Sequence, residues 1–287
     1  DELRKYGKSK EHRPNPIVTM GLFMDADGIP MSFDIFPGNK NEQTTLKPLE
    51  QKIIRDFNCS EFIFCSDSGL GSLNNRRFNS FSHRAYVITH SLKKMKEEDR
   101  KAAMNPAQFR KIGAQKFVDL RTLDETDEEV YSSVYYKEYP LITGDMVETL
   151  IVTYSPKYAA YQRKIREGQI ERTQKILCSP EKKRKGKNPN DPMRFVKRTT
   201  VTIDGEIAEK TVYDLDREQI EKEAMYDGFY AVVTNLEGNV NEIIRINQQR
   251  WEIEENFRIM KDELGSRPAF VRREDRIKAH FMTCYIS

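Results

Sequence analysis

Apolar positions in the first ninety residues recur in two periods, and the alternation between them predicts a mixed sheet with helices packed on it. Ile17-Val18-Thr19-Met20-Gly21-Leu22-Phe23 is an apolar run that ends in the turn signal Asp25-Ala26-Asp27-Gly28, and Pro30 to Phe36 reads as the returning strand of a hairpin. After Pro37-Gly38-Asn39, the residues Leu46, Leu49, Ile53, Ile54 and Phe57 have helical spacing, and Glu61 to Cys65 is a short continuous strand pattern. A second helix is expected over about residues 71–80 and a buried strand over Ala85 to Thr89. From Ser91 to about Tyr226 the chain turns polar and rich in Lys and Glu, with strand-like pieces at Val130 to Tyr136, Glu148 to Tyr154 and Thr199 to Ile203. A charged helix is expected from Pro156 to Leu177. Phe229 to Thr234 returns to a buried-strand pattern, a long helix follows from about Val240 to Leu264, stopped by Gly265 and Pro268, and an amphipathic helix begins near Glu274.

This pattern divides the chain into a first part of a core at 1–90, an inserted, partly β subdomain at 91–226 and a last part of the core at 227–287. With 38% hydrophobic residues, 287 positions can fill a sizeable interior. Charged residues at 32% and a mean hydropathy of −0.73 leave no run near the roughly 18 apolar residues of a membrane span, and the start has no apolar signal core. Cys59, Cys65, Cys178 and Cys284 show no CxxC spacing, so they read as reduced thiols of a cytoplasmic protein and set up neither a disulfide scaffold nor a zinc site. The net charge of +3 conceals a segregation: Lys157 to Arg198 holds 14 Lys/Arg against four acids, a local +10 that leaves the remainder at −7. Such an island suits phosphate, although a charge run is also what a solvated face looks like. Within it Lys182, Lys183, Arg184 and Lys185 form a basic loop.

Two acids stand in positions where chemistry gathers. Asp67 follows the strand pattern Phe62 to Cys65 and precedes Ser68-Gly69-Leu70, at the C-terminal edge of a sheet, where a helix N-cap and a site residue are both natural readings. On the long helix, taking about 100° per residue from Arg250, Glu254 falls near 40°, Lys261 near 20° and Asn247 near 60°. Ile246, Ile253, Phe257, Met260 and Leu264 form the adjacent apolar stripe. The bland reading is an amphipathic helix with an Arg250/Glu254 pair worth a few tenths of a kcal/mol. Should Asp67 and Glu254 converge, they make a hard oxygen pair suited to Mg²⁺. The four histidines are dispersed and no GxxxxGK[ST] loop is present, so His-based acid/base catalysis and nucleotide binding lack support. Trp251, off the apolar stripe, is expected to pack against the insertion rather than stack on a base.

Gly38-Asn39 after the hairpin, Asp67-x-Gly-Leu after a strand, Asp227-Gly228-Phe229-Tyr230 before another, and Arg250-Trp251-x-Ile253-Glu254-x-x-Phe257-Arg258-x-x-Lys261 followed by Arg267-Pro268 resemble the insertion-sequence transposases with a ribonuclease-H-like DDE core. The resemblance covers nearly the whole chain. It is closest to the branch whose helix carries Tyr-x2-Arg-x3-Glu-x6-Lys; Arg250, Glu254 and Lys261 match, while Asn247 stands where the tyrosine would be. Ser9-Lys10-Glu11-His12-Arg13-Pro14 is similar as well.

The resemblance implies an α/β fold, a ribonuclease-H-like mixed sheet with flanking helices interrupted by a large partly β insertion. It implies that Asp67 and Glu254 are the second and third acids of a catalytic, metal-holding triad for two Mg²⁺ ions, or Mn²⁺ in their place. Arg250 and Lys261 would grip phosphates, with Lys182, Lys183, Arg184 and Lys185 on duplex DNA. The first acid lies in this family on a strand just before the segment resembling Leu3 to Pro14, so Asp1, Asp25 and Asp27 are not assigned to it, and the chain reads as a fragment at both ends that binds DNA without cutting it. The implied activity is endonucleolytic cleavage and strand transfer at transposon terminal repeats and target DNA, with self-association on DNA, no membrane, and a bacterial, nucleoid-associated location. The alternative is a non-catalytic DNA-binding remnant that keeps the fold.

Overall fold

The computed structural model describes residues 2–7, 15–59, 61–178, 190–201 and 210–287; the basic run Lys182 to Lys185 lies outside the described residues. The hairpin forms where the turn chemistry places it, with β1 (Val18–Met24) and β2 (Pro30–Pro37) antiparallel in a two-stranded sheet. Asp25 Oδ1 accepts from the amides of Asp27 at 3.0 Å and Ile29 at 2.8 Å, and Gly28 supplies the left-handed φ of +78° that the turn needs. α1 (Glu42–Phe57) starts at Asn41, whose side chain accepts from Gln43 N, and turns Leu46, Leu49 and Ile53 inward at i, i+3, i+7. Then come β3 (Ile63–Ser66), α2 (Leu73–Phe78), β4 (Ala85–Thr89), α3 (Glu97–Met104), β5 (Phe109–Lys111), β6 (Phe117–Val118), α4 (Glu128–Ser132), β7 (Tyr135–Thr143), β8 (Met146–Tyr154) and α5 (Pro156–Cys178). The chain ends with β9 (Val196–Val201), β10 (Lys210–Leu215), α6 (Arg217–Ala224), β11 (Phe229–Thr234), α7 (Val240–Gln248), α8 (Trp251–Arg258) and α9 (Glu274–Ile286).

The fold is mixed α/β, with a seven-stranded mixed sheet in the order β3-β4-β11-β8-β7-β5-β6 and flanking helices, as a ribonuclease-H-like core requires. β3 is parallel to β4, and β11 is antiparallel to β4. β9 and β10 form a separate antiparallel pair. Chain contacts divide the molecule into two units: 1–103, 138–151 and 231–287 make the first, and 104–137 with 152–230 the second. Residues 138–151, placed by sequence inside the insertion, therefore group with the first unit.

In the first unit the interior is built from Tyr86, Val87 and Ile88 of β4, Ala231 to Val233 of β11, Leu150 and Ile151 of β8, and Ile243 and Ile244 of α7, all buried. A satellite cluster joins Leu3, Phe33, Ile35, Ile277 and Phe281, which ties α9 and the opening segment to the hairpin. In the second unit Phe109 and Phe195 are fully buried, and the Phe229 ring packs on Phe109 at 6.2 Å and on Tyr154 at 5.0 Å.

Three expectations change. The strand-like piece at Val130 to Tyr136 is helix α4 followed by the start of β7. The helix expected to run from Val240 to Leu264 is interrupted twice. At Gln249 and Arg250 the bonds shorten to i→i+3, with Arg250 N to Asn247 O at 3.3 Å and Ile253 N to Arg250 O at 3.1 Å; at Ile259–Glu263 a π turn lengthens them, with Leu264 N to Ile259 O at 3.0 Å. A single 100° wheel thus does not hold from Asn247 to Lys261, although it holds inside α8. Trp251, expected to be covered, is 62% exposed.

Candidate active site

Asp67 is the first residue beyond β3, and strand termination makes it so: Ser66 is buried in the sheet while Asp67, Ser68 and Gly69 emerge exposed. Its Oδ1 accepts from Gly69 N at 2.8 Å, which curls the loop back on the carboxylate. The N-cap of α2 is not Asp67 but Ser72, whose hydroxyl accepts from Asn75 N at 3.3 Å, so the capping role weighed for Asp67 belongs to another residue. Buried Asn75 then holds the loop from beneath, donating to Leu70 O at 2.9 Å and to Gln43 O at 3.0 Å. Gly71 completes the fit, since a Cβ there would stand 2.7 Å from Ile88 Cγ2.

Glu254 lies in the first turn of α8, exposed, and its Oε1 accepts from Arg250 Nη1 at 2.9 Å. Arg250 sits in the tightened turn between α7 and α8 with its side chain 26% exposed, and its Nε is buried without a hydrogen-bond partner among the described residues. A buried guanidinium donor in that condition favours an anionic oxygen as partner. Lys261 falls in the π turn, with Nζ 5.1 Å from the Phe257 ring centre. On the far side of α8, Asn256 Nδ2 donates to Gly28 O at 3.0 Å, and Glu252 packs so close to Gly28 that a Cβ there would meet its Oε2 at 2.8 Å. That seats α8 on the hairpin turn and gives Asp25 a turn-forming role.

α7 and β3 meet where Cys65 Sγ donates to Ile246 O at 3.7 Å. Burial pushes the Cys65 thiol up to about 11, while the Arg250 guanidinium lies near enough to oppose that rise. Arg250 therefore links Glu254, its ion-pair partner, with Cys65, two residues before Asp67. In kind, two exposed carboxylates suit a hard divalent ion. In number they are two, and no group of three His, Cys, Asp or Glu side chains able to hold a metal occurs among the described residues. Asp67 and Glu254 are thus donors of a suitable kind, short of a complete set.

Beyond the mixed sheet and the positions of these residues, the family model for the transposase DDE domain matches residues 3–287. The chain belongs to this transposase family. No curated protein matches it. The family's function is DNA transposition and recombination, which implies a DNA substrate, and divalent metals are general to the family. Among the described residues of this transposase domain no helix is long and apolar enough to cross a membrane.

A buried polar cluster of the domain was not singled out by sequence. Arg76 of α2 reaches Glu148 of β8 through Nη1, 2.7 Å from Oε1 and 2.5 Å from Oε2, with side chains 7% and 0% exposed; the fully buried Tyr86 hydroxyl also donates to Oε1. Burial, then the Glu148 carboxylate, drives the Tyr86 phenol upward, and burial followed by the Arg76 charge lowers His90. The pair ties α2, and hence the Asp67 loop, to the sheet. An acid inside the apolar strand Met146–Tyr154 was the available signal. In the second unit the Asp227-Gly228-Phe229-Tyr230 motif has a structural account. Asp227 pairs with Arg166 of α5 at 2.6 and 2.5 Å, and Gly228, at φ +78°, donates to Gln162 Oε1 at 2.8 Å.

Proposed function

We propose that this chain is the catalytic region of an insertion-sequence transposase that cuts DNA at the element's ends and transfers the strands in a metal-dependent reaction, with Asp67 and Glu254 as two of its metal-holding acids. The observation that carries the reading is the contact of β3 with α7, where Cys65, two residues before Asp67, donates to Ile246 O at 3.7 Å, four residues before the Arg250 that pairs with Glu254. Asp67 and Glu254 would hold two Mg²⁺ ions, or Mn²⁺ in their place, which would supply activation of the attacking oxygen and neutralisation of charge on the leaving oxygen. Asp67 offers its carboxylate from a loop pinned by Asn75, and Glu254 from the start of a helix seated on the hairpin turn. Arg250 holds a phosphate beside the scissile bond through the exposed part of its guanidinium, and Lys261 adds a point charge. The acid completing the triad is not assigned to a described residue. Self-association brings two element ends together, on chromosomal DNA in a bacterial cytoplasm.

The test uses protein from the complete reading frame, end-labelled duplex carrying the element's terminus, Mg²⁺ and a denaturing gel beside a binding assay. Asp67→Asn and Glu254→Gln are expected to lower nicking at least ~10³-fold, several kcal/mol of barrier, with binding nearly intact. Nicking by Glu254→Gln at the unsubstituted rate overturns the assignment. An unsubstituted protein that binds and never nicks identifies the non-catalytic remnant.

A further inference from the structure

α5 has two faces of opposite character. Taking Arg166 as zero at about 100° per residue, Ala159, Gln162, Arg166 and Thr173 fall within roughly 60° of one another. They are the anchored side. Ala159 is buried, Gln162 receives Gly228 N, Arg166 pairs with Asp227, and Thr173 Oγ1 donates to Pro192 O at 2.8 Å. Between about 160° and 280° stand Lys157, Lys164, Arg172 and Lys175 together with Tyr158, Tyr161 and Ile165, every one exposed. Glu167 and Glu171 fall outside that stripe, at about 100° and 140°. Among the described residues none of the four cations is ion-paired, in contrast to Lys101, Lys222 and Lys278, each of which meets a Glu four residues away.

We propose that this outward face of α5 is a docking surface for the phosphate backbone of duplex DNA, independent of base sequence; the inference rests on the transposase reading and adds a contact outside the candidate active site. Charge decides the occupant. Four uncompensated cations on one face attract a polyanion, whereas a second copy of the chain would set like charges against each other. Spacing agrees: Lys157, Lys164 and Arg172 stand about 10 and 12 Å apart along the axis, close to the ~12 Å width of the major groove, so phosphates on both groove walls come within reach. Tyr158 and Tyr161, with ring centres 6.3 Å apart and 21° between planes, and the exposed Ile165 give the stripe an apolar floor for sugar edges. Gly168 lies in the stripe with open space where a side chain would project, so a phosphate can approach the backbone there.

The experiment measures affinity of the complete protein for a random-sequence duplex in EDTA from about 50 to 300 mM salt. Each phosphate contact contributes about −0.9 to the slope of log K against log salt, so Lys157→Ala/Lys164→Ala/Arg172→Ala/Lys175→Ala is expected to flatten the slope by about 3.6 and weaken binding roughly 10³–10⁴-fold near 0.1 M. Lys157→Arg/Lys164→Arg/Lys175→Arg keeps the charge and is expected to keep the slope, and circular dichroism checks that both variants fold. An unchanged slope in a folded alanine variant overturns the proposal while leaving the transposase reading intact. Failure of the unsubstituted protein to bind any duplex overturns both. An alanine variant that changes sedimentation but not the slope makes the face a self-contact and overturns the DNA assignment.

Discussion

Replacing Glu148 by Ala leaves the Arg76 guanidinium buried at 7% exposure without its counter-charge and the Tyr86 hydroxyl without its acceptor. Removing one partner of such a pair costs about 3–5 kcal/mol, far above the ~0–1 kcal/mol of an exposed pair. For a unit of this size each kcal/mol moves the midpoint by about 2–4 °C, so a fall of roughly 6–20 °C is expected for the first unit. Thermal unfolding followed by circular dichroism measures it, with Asp145→Ala as the reference. That variant breaks the pair between Arg77, also on α2, and Asp145 of the β7–β8 turn, whose side chains are 43% and 70% exposed, and it is expected to cost less than ~1 kcal/mol and to lose even that in salt. The double substitution Arg76→Met/Glu148→Leu removes both charges at similar volume and is expected to recover most of the loss. Because α2 carries the Asp67 loop, hydrogen exchange at residues 67–72 should quicken in Glu148→Ala and not in the double variant. A Glu148→Ala effect no larger than that of Asp145→Ala, or a double variant no better than the single one, refutes the reasoning.

Burial, the largest cause, pushes the Glu50 carboxyl up to about 7 against the hydrogen bond from Asn79 and the charge of Arg84. An acid raised on folding binds more protons in the folded state, so its contribution declines as pH rises from about 4.5 to about 7. Glu50→Gln is therefore expected to be near neutral at pH 4 and to stabilise by about 2–3 kcal/mol at pH 8, read from urea titrations at both values; the same difference at each pH counts against it. Gly228→Ala forces a Cβ to 2.7 Å from Tyr154 Cε2 at a left-handed φ and is expected to cost at least ~2 kcal/mol, while Gly168→Ala, meeting nothing within 4 Å, is expected to gain up to ~1 kcal/mol in the same thermal assay. Equal effects at the two glycines would contradict the packing account.

What could be read from sequence was whatever local chemistry decides. The hairpin was legible because Asp25 and Gly28 are both required by its turn, and the Asp67 position because an apolar strand followed by Ser-Gly marks where a sheet ends. Arg250 and Glu254 were legible as partners because a one-turn spacing survives from the N-cap of α8 into its first turn. The two helix interruptions were not, since neither Gly nor Pro stands at 249–250 or 259–263 and the shift in hydrogen-bond period has no local residue signal. Glu148 was hidden for a different reason: its partner Arg76 is 72 positions away, and only the packing of a distant helix residue against β8 makes an acid in an apolar run tolerable. The same distance argument explains Asp227. As a motif it suggested function, yet its carboxylate neutralises Arg166 on the anchored side of α5, which leaves the helix's other cations facing outward without an internal partner. Among the described residues of the basic island, a cation that finds a buried acid, as Arg166 does, becomes part of the framework, and Lys157, Lys164, Arg172 and Lys175, ion-paired with none, make up the face proposed for a polyanion.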